Sequence, residues 1–87
     1  MNEGNNKTEN NEMIIYKHTS GLLERVHMTP SKVTHRLKRG KDEWIGRTIP
    51  VKCLDEALTV RDEIVDNILR NAAVTGDTVT EEIVKSW

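Results

Sequence analysis

Met28-Thr29-Pro30-Ser31-Lys32-Val33-Thr34-His35-Arg36-Leu37-Lys38-Arg39-Gly40 reads as one short helix with both ends written in. Thr29 can serve as the N-cap, its hydroxyl accepting from a backbone N–H that the first turn leaves unpaired. Pro30 falls at the first helical position, where its missing N–H costs nothing. Gly40 suits the left-handed position beyond the last turn, and Lys38 and Arg39 complement the negative end of the helix dipole. At about 100° per residue, Lys32, His35, Arg36 and Arg39 line up as a basic stripe. Val33 and Leu37 form an apolar edge beside it.

Just upstream lies Ser20-Gly21-Leu22-Leu23-Glu24-Arg25-Val26-His27. The spacing of Leu22, Leu23 and Val26 fits a second short amphipathic helix, with a tight turn near residues 27–29. Two such helices make a helix-turn-helix, with Leu22, Val26, Met28, Val33 and Leu37 as its hydrophobic skeleton. Over about residues 18–40 the pattern resembles the small helix-turn-helix DNA-binding proteins of bacteriophages and mobile elements. That resemblance implies a second helix in the major groove, with Ser31, Lys32, His35 and Arg36 toward base edges. Arg25, Lys38, Arg39, Lys41 and Arg47 would then serve phosphates. Residues 13–70 also admit the sheet-then-helix order of the three-stranded DNA-binding domain of the Apetala type.

Charge is strongly segregated behind a net value of −1. Residues 13–53 hold nine Lys or Arg against three acidic residues, and residues 54–87 hold three against eight. A basic middle beside an acidic carboxyl-terminal third points to a localised surface for a polyanion.

The remaining elements follow from composition and period. Residues 1–12 are polar and Asn-rich, too poor in apolar side chains to repay the entropy of ordering, so a disordered tail is expected. Met13-Ile14-Ile15-Tyr16 is a short strand candidate. The run from Trp44 to Lys52 reads as an extended wing, bent at Gly46, limited by Pro50 and able to pair with residues 13–17. Trp44 reads there as a core anchor. Over residues 54–70, Leu54, Ala57, Leu58, Arg61, Val65, Ile68 and Leu69 repeat at helical spacing, with Ile64 flanking. Gly76 punctuates the chain, and Thr78 with Glu81 gives a capping-box pattern for a short last helix in which Val79, Ile83 and Trp87 share a face.

The expected fold is therefore α+β and mostly helical. It comprises a helix-turn-helix, a short strand or wing, and a longer carboxyl-terminal scaffold helix, in one small domain over residues 13–87. With 36% hydrophobic residues and no Phe in 87 residues, the core is modest, and a dimer or partner would add stability.

Catalytic signatures are missing. His18, His27 and His35 are not at zinc-site spacing, no Gly-rich phosphate loop follows a strand, and the long helix's carboxylates are patterned as a solvated face. No enzyme activity, cofactor or metal is expected. Cys53 is the single cysteine, so no disulfide forms within the chain. Without a bilayer-length apolar run or signal-peptide organisation, a cytoplasmic location is expected. The leading expectation is a small DNA-binding protein, a transcriptional regulator or accessory factor of a phage or mobile element, acting on double-stranded DNA, with a homodimer or tandem sites needed for tight specific binding. The alternative is a phage-type protein-interaction module whose basic helix docks on an acidic host protein and inhibits or modulates it.

Overall fold

The computed structural model describes residues 11–84. Strands β1 (Glu12–His18), β2 (Leu22–Thr29), β3 (Lys32–Arg39) and β4 (Asp42–Pro50) follow one another. Helix α1 (Leu54–Thr75) comes next, then strand β5 (Val79–Val84). The sheet order is β4-β3-β2-β1-β5, with every neighbouring pair antiparallel. The helix lies across one face of this sheet; no second layer covers the other among the described residues.

The mostly helical expectation is overturned, since residues 22–39 form a β-hairpin instead of a helix-turn-helix. Its turn uses the residues that imitated a helix start. Thr29 Oγ1 accepts from the backbone N–H groups of Ser31 (3.2 Å) and Lys32 (3.1 Å), while Pro30 fixes its own φ in the bend. The same hydroxyl-to-amide chemistry that caps a helix closes a turn. Gly40 has φ 62° at the first central position of the β3–β4 turn, the type II′ hairpin arrangement that needs glycine.

The first and last strands also depart from expectation. β1 starts at Glu12 and pairs with β2 and β5, whereas the β4 wing pairs with β3. Val79–Val84 is a strand, not a terminal helix. The expected tail lies outside the described residues as far as residue 10, and so does Trp87.

α1 is the expected long helix, extended to Thr75. The Lys52 backbone N–H donates to Glu56 Oε1 at 2.8 Å, tying down its start. At its end Gly76 adopts φ 82°, and the N–H groups of Gly76 and Asp77 bond back to Ala73 and Ala72 carbonyls, the Schellman arrangement. Its buried face is Ala57, Ile64, Ile68 and Ala72. The expected stripe is thus misphased: Ile64 is its centre, and Leu69 is 46% exposed.

The core joins Ile14, Tyr16, Val26, Met28 and Val33 of β1–β3 to Ala57, Ile64 and Ile68 of the helix. Trp44 stands apart on edge strand β4 at 46% exposed, where the helix does not reach, so it is not a core anchor. Tyr16 Oη donates to Glu81 Oε2 at 2.7 Å, which secures β5. Burial and that bond to Glu81 push the phenol up, so it stays a donor. Arg61 pairs with Glu12, fastening the start of β1 to α1.

Candidate nucleic-acid interface

Side chains alternate between the two faces of a sheet, so register sorts the basic middle of the chain. Cross-strand pairing sets Ile15, Arg25, Arg36 and Ile45 in one row over the uncovered face. A second row holds Lys17, Leu23, Lys38 and Glu43. A third holds Met13, His27, Thr34 and Thr48, and Lys32 lies at the rim opposite Thr29. Five basic residues therefore share this face with two acidic ones, Glu43 and Glu82.

Arg25 and Arg36 are direct cross-strand partners. Like charges in that position destabilise a sheet. Arg25 is partly compensated by Glu43 at 3.6 Å. The side chains of Lys17, Arg36 and Lys38 have no hydrogen-bond or ion-pair partner among the described residues. His27 responds to the same field: burial, then the charges of Lys32 and Arg36, push its imidazole down toward the neutral form.

Not every expected site residue is brought here. Arg25, Arg36 and Lys38 gather on the open face, and Lys32 borders it. Ser31 and Lys41 lie in the turns at opposite ends of β3. His35, Arg39 and Arg47 fall on the helix side by register. Lys17 and Thr48 were missed by sequence reasoning; Thr34 shares their face by register but is only 6% exposed.

On the helix side lies a second polar constellation. His18 Nε2 and His35 Nε2 meet the two oxygens of Glu24 at 2.6 and 2.7 Å, linking β1, β2 and β3 below the helix. Asp77 stands 3.6 Å from His18 Nδ1. Burial alone would push the Glu24 carboxyl up. The hydrogen bonds from His35 and His18, with their electrostatic attraction, outweigh it and hold the group below its ordinary range. Among the described residues no group of three or more His, Cys, Asp or Glu is arranged to hold a metal ion.

No protein-family model, curated protein or solved structure matches this chain.

Proposed function

We propose that this chain binds double-stranded DNA with the uncovered face of its sheet, as a small regulator or accessory factor. The observation that supports this most is the Arg25–Arg36 cross-strand pair, flanked by Lys17 and Lys38, on a face that no other element covers among the described residues. A like-charge pair that Glu43 compensates only on the Arg25 side is costly alone and favourable against a polyanion. β2 and β3 are interior strands of the five-stranded sheet and carry Arg25 and Arg36 at mid-length, so it is the broad face of the sheet that would lie against the groove. Arg36 is the base-reading candidate, since guanidinium can address guanine bidentately. Lys17, Lys38 and Lys32 serve phosphates, which position the protein without reading sequence.

Fluorescence anisotropy with labelled duplex DNA tests the reading. The wild type is expected to bind at low salt, with a log–log salt slope of about −3 for three phosphate contacts. Arg36→Ala should weaken specific binding by about 1–3 kcal/mol and relax preference at one base position. Its melting temperature should hold or rise slightly, because a like-charge contact is removed. A well-folded wild type without measurable affinity for duplex DNA at low salt defeats the proposal.

A protein partner with an acidic surface is the second reading, favoured by Ile45, which is 54% exposed beside Arg36. On that reading Ile45→Ser abolishes partner binding while affinity for DNA is absent throughout.

A further inference from the structure

α1 packs mainly over β2 and β3, and along its second half a cleft opens between helix and sheet. One hollow of about 270 Å³ is bounded by Glu24, His35 and Arg47 from the sheet, with Asn67, Asn71 and two isoleucines from the helix. It adjoins another of about 310 Å³ that shares Glu24, His35 and Asn71 and reaches Arg39.

The polar groups around the first hollow have no structural employment. Arg47, Asn67 and Asn71 make no side-chain hydrogen bond or ion pair among the described residues. Asn67 and Asn71 are four apart on α1 and so project from the same side, one turn apart. Arg47 faces them from β4, paired with His35. Ile64 and Ile68 are buried beside the carboxamides and supply an apolar wall. The Glu24 carboxylate at the floor is committed to two histidines, so it is not free to bind a cation. A concave site with apolar walls and a few convergent polar groups is the usual form of a small-molecule pocket.

We propose that this cleft binds a small organic anion, a phosphate or carboxylate joined to a ring, up to the size of a nucleoside monophosphate. Arg47 takes the anionic group, for which its planar fork is suited. Asn67 and Asn71 offer donors and acceptors to the ring edge, and Ile64 and Ile68 cover its face. The site lies on the side of the sheet opposite Arg25 and Arg36, so it is separate from the DNA surface and does not depend on that reading.

The test is a titration of the full-length chain followed by amide NMR, without DNA, using adenosine monophosphate, phenyl phosphate and benzoate, with inorganic phosphate as comparison. At least one organic anion should give saturable shifts centred on residues 35, 47 and 64–71, and bind more tightly than inorganic phosphate. Arg47→Met should weaken it by roughly tenfold or more, as expected for a lost charged hydrogen bond. Asn71→Ala, at an exposed helix position, gives a second loss if Arg47→Met disturbs the fold. Arg36→Ala, on the opposite face, should leave this binding unchanged. The proposal is overturned if none of the three organic anions shifts those amides. Equal binding of inorganic phosphate, or affinity unaltered in both cleft variants, overturns it as well.

Discussion

Glu24 is a carboxylate 6% exposed, in a domain with little apolar material to spare. It is tolerable because each oxygen meets a histidine nitrogen, and a glutamine there would keep one acceptor oxygen for the two rings. Glu24→Gln is expected to lower unfolding free energy by about 1–3 kcal/mol at pH 7, measurable by urea denaturation. The folded-state pKa is depressed, so the carboxylate's contribution is present above its ordinary value of 4.5 and lost as pH falls through the folded value. The gap between wild type and Glu24→Gln should therefore narrow as pH falls below that ordinary value; a constant gap would refute the linkage. The same network hid the fold from sequence reasoning. His18, Glu24 and His35 occupy inward positions of β1, β2 and β3, so polar residues interrupt the alternation that would have announced three strands. Their neighbours Leu22, Val26, Val33 and Leu37 include pairs spaced by four, an interval that suits a helical face and a strand face equally.

Among the elements, α1 was legible because its apolar period is sustained for five turns, long enough to exclude a strand. Its phase was harder to read, since Leu69 and Val65 compete with Ile64 for the stripe and only packing decides. Ile64→Ala should cost about 2–4 kcal/mol as a buried truncation, whereas Leu69→Ala should cost less than about 1 kcal/mol. Thermal melts of the two variants check the phase, and comparable losses would show that it is wrong. β4 illustrates a signal read correctly for a local reason. Gly46 was expected to bend the strand, and the register shifts between His35 and Arg36 opposite it. A Cβ at Gly46 would stand 2.8 Å from Leu37 Cδ1, the end of a flexible side chain. Gly46→Ala is accordingly expected to fold with a cost of about 1 kcal/mol, while the larger Gly46→Val costs more.

For the whole molecule, the charge segregation read along the chain becomes a polarity in space. Lys17, Arg25, Lys32, Arg36 and Lys38 face one way, and Asp55, Glu56, Asp62, Glu63 and Asp66 are exposed on the helix behind them. Two pairs of charge changes separate this polarity from net charge. Glu63→Lys with Asp66→Lys moves the net charge from −1 to +3; Arg36→Glu with Lys38→Glu moves it from −1 to −5. A helix is about 10 Å across, so its outer charges stand more than one Debye length, about 8 Å at 0.15 M salt, behind the DNA surface. The helix pair should then change DNA affinity less than about threefold at that salt, while the face pair removes the base-reading guanidinium and one phosphate contact and lowers affinity by tenfold or more. All four positions are on the surface, and melting temperatures should shift by only a few degrees. If the helix variant gains as much affinity as the face variant loses, binding follows net charge alone, and the sheet face has no special role.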